Sequence, residues 1–280
     1  MTTMPTVKLP TGEAIAQLGL GTWTMGEQSR RRKDEVAALK LGLDLGMTVI
    51  DTAEMYASGG AEEVVGEAIA GRRDGVYLVS KVLPSNASAK GSVAACERSL
   101  RRLKTDRLDL YLLHWRERIP LAETVDGFIA LTKAGKIRQW GVSNFDVDDM
   151  EELMQLASGA GVATNQVIYS LRRRGIEYDL IPWQEKRKIP IMAYSPLDQG
   201  RLLSSHDIKA VADRHKATVA QVALAWVMRN ANVFTVPKAG SEAHVRDNHA
   251  ALSIKLTKDD LAQLDRAFPP PQQKRPLEST

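Results

Sequence analysis

Asp51 closes a short apolar run, Thr48-Val49-Ile50, and Tyr56 follows five residues later. Lys81 ends a second apolar run and His114 a third. An aspartate and a lysine from neighbouring strands can pair as ions, and the acid keeps the ammonium charged. A free tyrosine has a pKa near 10 and a lysine near 10.4. A nearby ammonium favours phenolate, so it is expected to lower the Tyr56 pKa. The imidazole N–H of His114 can hold an oxygen. Together the four residues make a supported proton donor aimed at one oxygen atom, an arrangement worth roughly 10²- to 10⁴-fold in rate. The substrate that needs a proton on oxygen is a carbonyl gaining a hydride. Competing chemistries lack their parts. Cys96 sits in a helical pattern, and Ser143 has no histidine near it in sequence. Of the remaining histidines, His244 and His249 are five apart with no acid spaced to complete a metal site on the same helix face, and His206 and His215 read as surface positions around a helix.

These four residues need elements to hold them. Apolar runs recur at 17–22, 48–51, 76–81, 108–114, 137–144, 162–166, 189–195 and 233–238. Each is four to eight residues long, as expected of strands buried on both faces. Helical patterns fill the gaps. In 34–46, Val36, Leu39 and Leu43 form one stripe and Gly46 is a plausible stop; 92–104 and 218–230 read alike, the latter with Thr218 as N-cap. Eight strands interleaved with helices, with no linker, predict a single α/β domain: a (β/α)₈ TIM barrel over residues 1–268. Residues 7–17 carry a Thr-Gly turn between short runs and predict an N-terminal β-hairpin ahead of the barrel. Residues 269–280 are Pro-rich and polar and are expected to form a flexible tail.

Seven of the eight predicted strands end in polar residues: Asp51, Lys81, His114, Ser143 with Asn144, Gln166, Ser195 and Lys238. In a barrel these ends meet on one face, where barrel enzymes keep their sites. Burying several charges there without use would cost several kcal/mol for each one left unpaired.

Composition narrows the partners. The 280 residues carry a net charge of +4, and their densest basic runs, 30–33, 101–104 and 172–174, lie far apart in sequence. A solvated surface explains them better than a nucleic-acid site. One cysteine excludes an internal disulfide framework and fits a reducing cytoplasm. The first residues lack the apolar core of a signal peptide, and no apolar stretch is long enough to span a membrane. The sequence names neither the physiological substrate nor the oligomeric state, and a monomer is consistent with it.

The motifs "GLGTW", "IDTAEMY", "SLRRLKTDRLDLYLLHW", "GKIRQWGVSN", "ATNQVIYS", "AYSPL" and "VPKA" together resemble the aldo-keto reductases over almost the whole chain. The resemblance is nearest the small bacterial members, some of which reduce methylglyoxal. It implies a catalytic tetrad of Asp51, Tyr56, Lys81 and His114, and NADPH bound without a Rossmann motif. Thr24 indeed stands where G-x-G-x-x-G needs its third glycine. By the same resemblance Ser143, Asn144 and Gln166 hold the nicotinamide carboxamide and Tyr194 stacks on its ring. Ser195 and Leu197 line the pyrophosphate path, Lys238 meets the 2′-phosphate, and Asn248 lies near the adenine. Trp23 and Trp115 are the expected walls of the substrate pocket; Arg116 reads either as a solvated loop arginine or, in the sharper reading, as a pocket residue at the rim. The family often has serine after that lysine and an arginine several residues on, where this chain has Ala239 and His244. That departure leaves NADH possible but weaker. The loop after the fourth strand is short, and the long C-terminal substrate loop of larger members is missing. A nucleotide-binding regulatory barrel with little turnover is the alternative that the same family allows.

Overall fold

The computed structural model of the chain describes residues 4–279. It opens with an antiparallel hairpin, β1 (Thr6–Lys8) and β2 (Ala14–Ala16). Strands and helices then alternate: β3 (Leu20–Gly21), α1 (Arg32–Asp44), β4 (Val49–Asp51), α2 (Gly60–Ala68), β5 (Tyr77–Val82), α3 (Ala89–Leu103), β6 (Leu108–Leu113) and α4 (Leu121–Lys133). The series continues with β7 (Ile137–Ser143), α5 (Val147–Gln155), β8 (Val162–Ile168), α6 (Leu180–Lys186), β9 (Ile191–Tyr194), α7 (His206–Arg214), α8 (Val219–Val227), β10 (Val233–Thr235), α9 (Glu242–Ala250) and α10 (Lys258–Ala267). The order from β3 to β10 is that of one eight-stranded parallel sheet, with every neighbour consecutive in sequence.

Short bridges join the two edges of that sheet. Leu18 pairs with Thr235 and Gly21 with Lys238, so the sheet curls into a barrel. Close backbone approach, to β4 on one side and across the seam on the other, explains the glycines of "GLGT". A Cβ on Gly19 would stand 2.7 Å from the Val49 carbonyl oxygen, and one on Gly21 would stand 2.4 Å from that of Val236. Backbone approach therefore excludes larger residues at both positions.

Two cores follow from the strand geometry. Val49, Val79, Leu110, Leu112, Met192 and Phe234 fill the barrel interior, and Val7, Leu9, Ile15 and Ala16 of the hairpin plug its amino end. Ile50, Leu78, Tyr111 and Leu113 alternate with them and pack outward against Leu39, Val64 and Phe128 on the helices. Both faces are apolar, which is why the strands show no hydropathy alternation. The helix expectations hold locally: α1 stops two residues before Gly46, and Thr218 caps α8 within a capping box. Helix α7 pairs with α10 as an addition to the ring. Residues 269–279 carry no helix or strand. Leu277 packs on the core, and Glu278 pairs with Arg173 at 2.5 Å. No helix among the described residues is long and apolar enough to cross a membrane.

Candidate active site

The inward alternation that places Val49, Val79, Leu112 and Val236 in the barrel interior continues for one more inward residue on each strand. That next residue is Asp51, Lys81, His114 or Lys238. The polar strand ends thus form the top layer of the barrel. They border a cavity of about 1250 Å³ at the carboxyl end.

Lys81 organises the layer. It is fully buried, and its ammonium donates to an Asp51 carboxylate oxygen at 2.9 Å, to the Thr52 carbonyl at 2.9 Å and to Tyr56 Oη at 3.1 Å. All three donors are used. Gln166 Nε2 donates to the other Asp51 oxygen at 2.9 Å. Tyr56 accepts from Lys81, and its own proton has no acceptor among the described residues. The ring of His114 meets that of Tyr56 edge-on, with centroids 5.8 Å apart.

Local backbone explains how Tyr56 gets there. It begins a short kinked segment, Tyr56–Gly59, in which Ala57 and Ser58 leave helical geometry with φ of 49° and 51°. Left-handed residues also mark the other mouth loops: Thr24, Asn144, Ser195, Asp198 and Gln199. Such conformations cost about 1–3 kcal/mol each and persist only where the surroundings impose them.

The electrostatics correct one expectation. Burial raises the Tyr56 pKa and outweighs the lowering by Lys81, so the net shift is up rather than down. The phenol is a protonated donor at neutral pH. Burial opposes the Lys81 charge, but Asp51 and Tyr56 more than offset it, and its pKa is raised. Burial, helped by the Lys81 charge, pushes His114 down to about 2, so its imidazole is neutral.

The rest of the expected set mostly converges. Trp23, Trp115, Ser143, Asn144, Gln166, Tyr194, Ser195, Leu197, Lys238 and Asn248 all line the same cavity. Asn144 is pinned there: its amide nitrogen donates to the His114 carbonyl and to Ser143 Oγ, both at 3.1 Å, and its oxygen accepts from Tyr194 Oη at 2.9 Å. Trp23 is half exposed at the rim, so it is a wall and not core. Arg116 is the exception. It does not line the cavity; its guanidinium holds Glu152 through both terminal nitrogens, at 2.6 and 2.7 Å, and Asp149 at 3.0 Å. Two acids on α5 turn it away from the rim.

Other lining residues had no signal in the sequence: Arg31, Met55, Gln199, Leu203, Asp247 and Ser279. Arg31 lay inside a basic run that reads as surface. Ser279 brings the C-terminal segment to the cavity wall.

Comparison with known proteins agrees with this geometry. The model of the aldo/keto reductase family matches residues 17–268. The chain is 53% identical to methylglyoxal reductase YeaE of Escherichia coli over 95% of each chain. It is 34% identical to a glyoxal reductase of Bacillus subtilis, over 93% of this chain and 91% of that one. An aldo-keto reductase from Klebsiella pneumoniae, solved in complex with NADPH, superposes with a TM-score of 0.97 at 54% identity, covering 99% of this chain and 100% of that one. The matched family, the single barrel and the assembled Asp51, Tyr56, Lys81 and His114 lead to one conclusion: the chain belongs to the aldo/keto reductase family.

Proposed function

We propose that the protein reduces the carbonyl of small aldehydes and dicarbonyls, methylglyoxal among them, to alcohols at the expense of NADPH, with NADH accepted more weakly. The observation that carries this reading is the proton inventory around Tyr56. Lys81 spends every donor on Asp51, Thr52 and Tyr56, so within this bonded cluster the proton left without an acceptor among the described residues is that of the phenol. The names of the YeaE and glyoxal reductase relatives support the substrate class, and the NADPH-bound Klebsiella structure supports the cofactor.

The donor set fits that cofactor. Gln166 spends its amide nitrogen on Asp51 and keeps its carbonyl oxygen free for an amide N–H. With Ser143 and Asn144 it would hold the carboxamide. Tyr194 offers a ring fixed by its bond to Asn144. Ser195 and Leu197 would border the pyrophosphate, and Asn248 would lie near the adenine. Lys238 lines the cavity without an acid partner among the described residues. When bound, the nicotinamide supplies the hydride. Tyr56 then delivers its proton to the carbonyl oxygen as charge builds there. His114, neutral, can hold that oxygen through an N–H. Lys81 and Asp51 stabilise the phenolate that Tyr56 becomes. Trp23 and Trp115 wall the reacting group.

A regulatory barrel would go with a broken tetrad, and here all four residues are present, with Asp51, Lys81 and Tyr56 hydrogen-bonded and the His114 ring against that of Tyr56. The test is a panel of small aldehydes, dicarbonyls and ketones, followed by loss of reduced nicotinamide absorbance with each cofactor. Turnover of dicarbonyls with NADPH is expected. Absence of turnover across the panel, with cofactor still bound, would favour the regulatory reading.

A further inference from the structure

The run Arg30-Arg31-Arg32-Lys33 is not uniform in three dimensions. Arg32 is held by Glu63 and Glu67, and Arg30 leans on the Gln28 side-chain oxygen. Arg31 has neither an ion pair nor a side-chain hydrogen bond among the described residues, and it alone of the run lines the cavity. It sits in the 3₁₀ turn Ser29–Arg31 that feeds α1. Two acids, Glu35 and Glu27, act on Lys238 from this loop; Glu35 is buried and already accepts from the Gly26 amide at 2.9 Å, and neither acid makes an ion pair with Arg31 or Lys238 among the described residues.

Arg31 faces Lys238. A methyl group added to Gly240 would lie 3.1 Å from Lys238 Nζ and 3.2 Å from Arg31 Nη2. The two cations therefore converge on one small space beside a bare glycine. Lys238 is half-buried, and burial together with the Arg31 charge lowers its pKa. Two unpaired like charges in contact with one cavity are costly unless an anion joins them. The loops are neighbours because β3 and β10 meet at the barrel seam. His244 lines the same end, at the position where a cation was missing from the expected pattern.

We infer that Arg31, from the first strand-to-helix loop, grips the 2′-phosphate of NADPH together with Lys238 and sets the preference over NADH. The inference rests on the NADPH reading above. Arg31 supplies from the far side of the seam the guanidinium that position 244 lacks. A bidentate guanidinium matches a phosphate better than a point charge does. Gly240 leaves the space for that phosphate.

The test uses the whole chain and two probes without a nicotinamide, 2′,5′-ADP and 5′-AMP, which differ only in the 2′-phosphate. Binding is titrated by calorimetry for the wild type, Arg31→Gln, Lys238→Gln and the double variant. Cofactor affinities follow from tryptophan fluorescence, since Trp23 and Trp115 line the cavity. Arg31→Gln should weaken 2′,5′-ADP and NADPH by about ten-fold or more, with 5′-AMP and NADH nearly unchanged. The two single losses should not add, because both residues act on one phosphate. The wild-type preference for 2′,5′-ADP should shrink as salt rises. Arg31→Lys should recover part of the loss, which a folding defect would not allow. Equal losses for both probes would overturn the assignment and place Arg31 on a shared part of the nucleotide. A wild type that prefers 2′,5′-ADP, with that preference intact in Arg31→Gln, would overturn the Arg31 inference alone. A wild type that binds both probes equally would overturn the NADPH reading with it.

Discussion

The two ends of the barrel are built from the same strands and treat polar groups in opposite ways. At the amino end the hairpin seats Val7, Leu9, Ile15 and Ala16 on the interior. The charges there are closed among themselves: Asp109 holds Arg73 at 2.7 Å and Arg138 at 2.9 Å, and Arg138 also holds Glu13 at 2.9 Å. At the carboxyl end Lys238 and Arg31 make no ion pair, and the Tyr56 proton has no acceptor, among the described residues. Backbone strain divides likewise. Lys104, Lys188 and Lys216 also have positive φ, but each follows the end of a helix, where that conformation serves as a stop. The left-handed residues of the mouth instead aim or flank side chains that line the cavity. A closed end is recognised by satisfied charges, and a working end by the particular groups left unsatisfied.

The comparison breaks first at Tyr56. Tyr56→Phe removes one hydroxyl that accepts a single bond from Lys81. Aldehyde reduction should fall by roughly 10²-fold or more. Nicotinamide affinity and the melting temperature should barely move. Steady-state turnover and a thermal melt measure both, and near-normal turnover would remove Tyr56 from its role. The matching change at the other end is Ile15→Ala. Truncating a buried isoleucine in the plug should cost about 2–5 kcal/mol of stability, while kcat of the folded enzyme stays close to wild type. A large loss of kcat with an unchanged melt would mean the plug shapes the site and the two ends are not separable.

The division was legible in part. Seven polar strand ends gave the working face, because the register that buries Val49 and Val79 also brings Asp51 and Lys81 inward two residues later. The Thr-Gly turn gave the hairpin. Arg31 was hidden, since a run of four basic residues has one appearance whether its members meet acids or a cavity. The sign of the Tyr56 shift was hidden too. Proximity to Lys81 could be inferred from neighbouring strands, but the burial that outweighs it depends on the whole mouth closing around the ring.

Titration sharpens the electrostatic side of the comparison. His114 is pushed down to about 2 from an ordinary value of 6.5, so it stays neutral through the physiological range. Turnover at saturating substrate should vary by no more than about two-fold between pH 5 and 8, with no step at 6.5. Because the folded pKa is depressed, the neutral ring's contribution to stability is present above 6.5 and is lost progressively as pH falls from there toward 2. Tyr56 is shifted the opposite way. Its contribution is fully present below its ordinary value of 10 and is lost as pH rises through the higher folded value. The alkaline limb of reduction should therefore lie above pH 10. An imidazole NMR titration near 6.5 assigned to His114 would contradict this account.

The smallest expected effect tests where the working end stops. Arg116 lies two residues past His114, close enough in sequence to guard the rim, and an anionic aldehyde could then have paired with it. Its guanidinium is instead shared between Glu152 and Asp149. Those acids leave it little net charge to offer, and the residue behaves like the paired arginines of the closed end. Arg116→Ala should leave the ratio of kcat/KM for an anionic and a neutral aldehyde of similar size unchanged. The loss should fall on stability alone, at about 0.2–1 kcal/mol, because the pair is about a third exposed and screened by salt. A several-fold fall in the anionic substrate's kcat/KM, reversed by raising salt, would return Arg116 to the rim and extend the unsatisfied region one loop further.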